Sequence, residues 1–241
     1  MSNLIAFLQL DVLGDIGQKI YDSTIYMDRY KYIIEGLGNT VLITIFAVLI
    51  GIVLGTLIAL VRVTHNNDHK KLNILNAISS LYLTVIRGTP VVVQLMIMYY
   101  IIYTSGDAIT AAIFAFGINS GAYVAEVIRS GIQSVDKGQI EAGRSLGLTQ
   151  RMTMIKIVFP QALKNVAPAI FNEFIALLKE TSVAGYIGVQ DLTKGGDTIR
   201  SITYDPYTSL LLTAAIYLVI VIGMTACLSK LERRLHRSDN R

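Results

Sequence analysis

The sequence predicts an all-α integral membrane protein with five transmembrane helices, its N-terminus outside and its C-terminus in the cytoplasm. Three observations carry that prediction. Of 241 residues, 53% are apolar and only 16% charged, against roughly 45–50% and 25% in soluble domains, and mean hydropathy is +0.54. So little charge cannot cover a soluble domain of this size, and so much apolar content argues against disorder. Apolar runs recur at lengths that cross a bilayer, and basic residues collect on alternate connections. The formal charge is +4, but the basic residues flank apolar runs and build no single patch, so no nucleic-acid partner is predicted. The lone Cys227 excludes an internal disulfide and a cysteine-based metal cluster.

Residues 1–35 form an extracytoplasmic or interfacial leader. They carry Asp11, Asp15, Lys19, Asp22, Asp28, Arg29, Lys31 and Glu35 with no uninterrupted apolar core, so no secretory signal is predicted. Leu4, Ile5, Leu8, Val12, Ile16 and Ile20 recur at helical spacing, which suits a helix in the membrane interface as well as a solvated leader.

A transmembrane domain follows over residues 36–230. Its first span, 40–61, is uncharged from Thr40 to Val61, roughly 33 Å as a helix. The second, 81–104, is interrupted by Arg87-Gly88-Thr89-Pro90 and predicted to kink there. The third, 108–128, contains Glu126; the fourth, 167–189, holds Glu173, Lys179 and Glu180; the fifth, 207–228, is uncharged. The connections after spans one and three, with Lys230 and the tail 231–241, gather fourteen Lys and Arg, and the opposite side only five. That asymmetry sets the orientation. Ala47, Gly51, Gly55 and Ala59 repeat every four residues in span one, as do Gly117, Gly121 and Ala125 in span three. Such stripes let helix backbones approach closely, within the chain or between copies.

Charges inside a membrane are costly and must face a cavity or one another. At 100° per residue, Asn172, Glu173, Ala176, Lys179 and Glu180 share an arc of about 120° on span four, opposite Ile170, Phe171, Phe174, Ile175, Leu177 and Leu178. Asn119, Tyr123, Glu126 and Ser130 gather likewise on span three. A carboxylate and an ammonium on one face can hold the two charged groups of an amino acid. Alternatively, Lys179 pairs with Glu173 or Glu126 and joins helices, and Glu126 pairs with Arg129 at i+3.

Residues 129–166 form the long inside loop. Ala142 to Leu146 suit a short helix that Gly147 ends in a left-handed conformation. Thr149 can cap a second helix with Met152, Ile155 and Phe159 on one face. From the residues alone this is an ordinary amphipathic connector, or an elbow with exposed Glu141 and Arg144 that docks on a partner.

The stretch Glu141-Ala142-Gly143, Gly147 and Ile157-Val158-Phe159-Pro160 resembles the "EAA" loop of ABC importer membrane subunits, with every spacing kept. Gly143 stands for the second Ala and Phe159 for Leu. Ile86-Arg87-Gly88-Thr89-Pro90 with Gln94, Asn119 to Glu126, and Leu178-Lys179-Glu180-Thr181-Ser182 are similar to polar amino-acid permeases. The resemblance runs from about Tyr30 to Arg234 and implies the type I ABC importer permease fold. It further implies a second permease copy or close paralogue, a cytoplasmic ABC ATPase dimer, and an extracytoplasmic amino-acid-binding protein. It places the chain in the cytoplasmic membrane of a bacterium or archaeon. By the same resemblance Glu141, Ala142, Ser145, Gly147 and Leu148 seat in the ATPase, which alone holds ATP and Mg; this chain binds no cofactor and is not an enzyme. It has no G-x-x-x-x-G-K-[ST] phosphate loop.

Asn119, Tyr123, Glu126, Asn172, Glu173, Lys179 and Glu180 are the expected substrate pathway. Three carboxylates against Lys179 leave it acidic, which suits Arg, Lys or His, with glutamine or another polar amino acid as the alternative. His65 and His69 at i,i+4 lack the full H-E-x-x-H zinc pattern and suit a solvated turn. An ATP-independent secondary transporter would show internal repeats, and none is visible. An intramembrane enzyme could be offered only Glu173 and Glu180 as its catalytic pair.

Overall fold

The structure, a computed structural model, describes residues 14, 15, 17–67 and 71–237, without the side chains of 67 and 235–237. The leader positions Leu4 to Val12 and Ile16, together with His69 and the side chain of His236, lie outside the described residues. All regular structure among the described residues is helical. After a short 3-10 turn at Tyr26–Asp28 come α1 (Tyr30–Asn67), α2 (Asn73–Gly88) and α3 (Val91–Ile97), the last prolonged by a π turn at Met98–Ile102. Then follow α4 (Ala108–Gln133), α5 (Lys137–Ser145) and α6 (Gln150–Thr153). A π turn at Met154–Val158 leads into α7 (Phe159–Glu180), and a 3-10 segment, Thr181–Ile187, into α8 (Leu192–Thr203) and α9 (Pro206–Arg237).

Among the described residues, three helices are long and apolar enough to cross a membrane: Tyr26–Asn66, Ala108–Gln133 and Pro206–Arg234. The predicted second span is not one kinked rod. It is two helices, α2 and α3, bent by 109° at the Gly88-to-Pro90 break, and counted together they give a fourth. Thr89 before Pro90 is extended (φ −120°, ψ 147°), as the proline ring demands of its predecessor. α7, made more polar by Gln161, Lys164, Asn165, Asn172 and Glu173, is not in that set, and it begins earlier than the predicted fourth span. Pro160 sits in its first turn, where a missing N–H costs nothing, so the inside loop runs into the helix without a break. Its α-helical winding ends at Glu180 and the 3-10 segment stops at Gly188, held at φ +83°.

The two small-residue stripes interlock within the chain. A Cβ on Gly51 would stand 2.7 Å from Ser120 Oγ, and one on Gly55 would stand 2.8 Å from Gly121 O and Ala125 N. Numbers rise together along both helices, so α1 and α4 run parallel, as the first and third of alternating spans must. Ile43, Ala47, Leu95, Phe116 and Leu177 close the central core around this seam. α4 is mostly buried, whereas α9 leaves nearly its whole apolar face uncovered.

Residues 190–206, the connection between the predicted fourth and fifth spans, contain α8. Asp191 caps it, accepting from the backbone N–H of Thr193 (2.8 Å) and Lys194 (3.3 Å). Leu192, Gly195, Gly196 and Ile199 are buried at helical spacing, the periodic signal that could have revealed this helix.

Candidate functional site

α7 turns its apolar face to its own core. Ile175, Leu177 and Leu178 are buried, while Asn172, Lys179 and Glu180 are exposed and Glu173 is half-buried. At Asn172, Lys179 and Glu180 the predicted polar arc is therefore a face that this chain leaves uncovered, with Glu173 partly covered. Lys179 lines a cavity of about 510 Å³ with the hydroxyl-bearing Ser182, Thr193 and Tyr217 and the apolar Ala214, Leu218 and Val221. The Thr193 and Tyr217 hydroxyls lie 3.2 Å apart. Among the described residues Lys179 has no carboxylate within ion-pair distance, so neither Glu173 nor Glu126 pairs with it. Thr193 and Tyr217 are absent from the sequence-predicted site, since α8 and α9 are brought to Lys179 only by the fold, and Ser182 enters there only as part of the Leu178-to-Ser182 motif.

The polar arc of α4 is tied down. Glu126 forms an ion pair with Arg129, and Arg129 also donates to Gln133 Oε1 at 2.7 Å. Buried Asn119 donates to Gln94 Oε1 (2.9 Å), and Gln94 in turn donates to Ile86 O (2.7 Å) and Thr89 Oγ1 (2.8 Å). Gln94 thus accounts for polar groups that the break at Pro90 sets free, which is how a membrane chain tolerates such a break. Tyr82 adds a hydrogen bond from its hydroxyl to Ile118 O. Tyr123 lies beneath the Arg87 guanidinium, 5.6 Å from the ring centroid. Asn119, Tyr123 and Glu126 therefore share one face of α4, and Asn172, Glu173, Lys179 and Glu180 share one face of α7.

The predicted elbow is present and tightly specified. Asp136 caps α5 through Gly138 N (2.6 Å). At the other end Gly147 takes φ +80°, with Gly147 N donating to Arg144 O (3.0 Å) and Leu148 N to Gly143 O (3.1 Å). Those two bonds make a Schellman stop, which needs a residue free to be left-handed. Thr149 accepts from Met152 N at 3.3 Å and starts the next helix. Gly143 is buried, and a Cβ there would stand 2.9 Å from both Thr153 Cγ2 and Ile157 Cδ1. That close approach is the physical reason glycine suits this position. Glu141, Ala142 and Ser145 face outward. Leu146, 80% exposed, projects from the elbow, and Met152, Ile155 and Phe159 are exposed too. Such an apolar surface calls for a partner.

Comparison with known proteins matches this arrangement. Residues 51–237 match the family described as binding-protein-dependent transport system inner membrane component. An arginine transport system permease protein of Bacillus subtilis is 35% identical over 90% of this chain and 99% of its own length. A Rickettsia prowazekii protein, named provisionally as a glutamine transport system permease, is 35% identical over 87% of this chain and 95% of its own. A crystal structure of an amino acid ABC transporter with histidines superposes with a TM-score of 0.80 at 42% identity, covering 87% of this chain and 97% of that one. The chain belongs to the binding-protein-dependent inner-membrane family and is an amino-acid ABC permease subunit, a transport protein and not an enzyme.

Proposed function

We propose that this subunit takes up polar, cationic L-amino acids (Arg, Lys or His) by alternating access, as one half of a type I ABC importer. The observation that carries the reading is the uncovered polar face of α7. Lys179, Glu180 and Glu173 would be too costly against lipid, so a second copy or close paralogue covers them and the pathway lies in the seam. Glu126 is neutralised by Arg129, so the acidity rests on Glu173 and Glu180 against Lys179, an excess of one negative charge. Asn172 belongs to the same face, and Asn119, Tyr123 and Glu126 form the facing wall.

The rest of the reading is supported by the charge asymmetry of the connections and by membership of the family. The membrane domain spans 36–230 with five crossings, N-terminus outside and C-terminus cytoplasmic, between an outer leader (1–35) and an inner tail (231–241). The bend at Pro90 lies inside the second crossing, and α7 with its 3-10 extension makes the fourth. Glu141, Ala142, Ser145, Gly147 and Leu148 of the elbow seat in a cytoplasmic ABC ATPase dimer, which supplies all ATP and Mg chemistry. An extracytoplasmic binding protein delivers the substrate at the cytoplasmic membrane of a bacterium or archaeon. Uptake of glutamine or another neutral polar amino acid is the second reading, supported by the glutamine-named relative.

The deciding experiment is ATP hydrolysis in proteoliposomes holding this chain, its ATPase and its binding protein, across a panel of amino acids. Stimulation by Arg, Lys or His, reduced at least tenfold by Glu180→Gln, is the expected result. Stimulation by glutamine alone, or an unchanged Glu180→Gln response, would sink the cationic reading.

A further inference from the structure

Below the polar walls, three helices bring three arginines around one carboxylate. Arg62 lies near the end of α1, Arg87 at the end of α2, and Arg129 with Glu126 on the last turns of α4. Arg87 lies over the Tyr123 ring, one helical turn before Glu126, and Arg62 follows Gly55 by two turns, which brings it level with the Arg129 turn because Gly55 packs on Ala125 across the seam. At 100° per residue, Arg62 falls within about 40° of Gly55 and Ile58, and Arg129 within about 40° of Ala122 and Ala125. Those four positions are buried in the helix seams, so both guanidiniums extend the α1–α4 seam and do not point away from it.

The charges do not cancel. Glu126 is engaged by Arg129, whose remaining donor goes to the neutral Gln133. Arg87 has the Tyr123 ring for a neighbour, and Arg62 Nε is buried without a hydrogen-bond partner. Among the described residues neither Arg62 nor Arg87 has a carboxylate within ion-pair distance. Two positive charges are left over, one of them with an orphaned buried donor, which is costly unless an anion completes the cluster.

We infer that Arg62 and Arg87, in the field of Arg129, hold the phosphate of an anionic phospholipid from the cytoplasmic leaflet. Guanidinium forks fit phosphate oxygens. Basic pockets between transmembrane helices on the cytoplasmic side are where such headgroups bind. The inference rests on the N-outside orientation proposed above, which puts this end of the seam at that leaflet. Neutralising the cluster also removes a barrier to a cationic substrate leaving the pathway.

The test uses the assembled transporter with its ATPase, delipidated in detergent, with no amino acid present. Phosphatidylglycerol is titrated in and bound lipid counted by native mass spectrometry. One phosphatidylglycerol per permease copy is expected, with phosphatidylcholine retained far less. Arg62→Gln and Arg87→Gln should each weaken binding on the order of fivefold. Arg234→Gln, an exposed charge near the inner end of α9, should not. The Arg62→Lys/Arg87→Lys pair keeps the charge and should keep much of the binding, which separates lost charge from misfolding. Equal retention of the two lipids, unchanged binding in the glutamine variants, or an equal loss in Arg234→Gln would overturn the site. Binding of inorganic phosphate with the same arginine dependence and no lipid preference would overturn the lipid assignment. None of these results depends on substrate, so failure here leaves the transport reading standing.

Discussion

Asp191, outside the spans, combines burial with a capping role. It is fully buried yet must cap α8, and burial raises its carboxyl above the ordinary aspartate value of 3.8, against the opposing pull of the Thr193 and Lys194 N–H donors. The folded protein therefore holds this proton more tightly than the unfolded chain does. Its contribution to stability is full below pH 4 and falls as pH rises through the raised folded value. Asp191→Asn keeps an acceptor for the cap and removes the ionising group. Thermal unfolding of detergent-purified protein should show the wild type losing stability relative to this variant as pH rises from 4 to 7. A constant difference across that range would mean that Asp191 stays ionised. Asp191→Ala, which also loses the cap, should lie about 0.5–2 kcal/mol below Asp191→Asn at any pH. The capping aspartate is legible in Asp191-Leu192-Thr193-Lys194. Its burial is not, because the backbone of Gly36 on α1 closes over it: a Cβ there would stand 2.5 Å from Asp191 O.

Elements with a local chemical cause were legible, and those with a distant one were not. The elbow was readable because Gly147 and Thr149 act within a few residues of themselves. Gly147 at φ +80° has open space around its missing Cβ, so Gly147→Ala tests backbone strain without steric clash. That change should destabilise the elbow by about 1 kcal/mol. Basal ATP hydrolysis by the partner should continue while its stimulation by substrate drops severalfold. Unchanged stimulation would mean that the left-handed stop does not transmit the signal. The 109° break was harder to read. Arg87-Gly88-Thr89-Pro90 announces an interruption, but the bend is held by Gln94 reaching back to Ile86 and across to Asn119, a bond spanning 25 positions. Asn119 looked like a pathway residue on its helical wheel for the same reason that it serves as a brace: both uses need a polar group facing inward.

At the level of the whole chain, alternation decides everything. Parallel packing of α1 on α4 is consistent with one orientation and equally with its inverse, so only the charge asymmetry of the connections separates them. In the orientation proposed above the elbow faces the cytoplasm, where an ATPase can reach its exposed Leu146, and α8 faces outward. A single native cysteine makes this directly testable. In a Cys227→Ser background, Tyr204→Cys places a thiol at the end of α8, where the residue is 91% exposed. Ser145→Cys places one on the exposed end of α5. A membrane-impermeant maleimide applied to intact cells should label Tyr204→Cys and spare Ser145→Cys, which should become labelled once the membrane is permeabilised. The reverse pattern would invert the topology and leave the elbow facing away from any ATPase. Co-expression of the ATPase adds a second discrimination. If the elbow seats in the partner, labelling of Ser145→Cys in permeabilised cells should fall severalfold when the ATPase is present, and Tyr204→Cys should be unaffected. Labelling of Ser145→Cys that ignores the ATPase would place the docking surface elsewhere on the inner face, with the exposed apolar row of Met152, Ile155 and Phe159 as the next segment to probe.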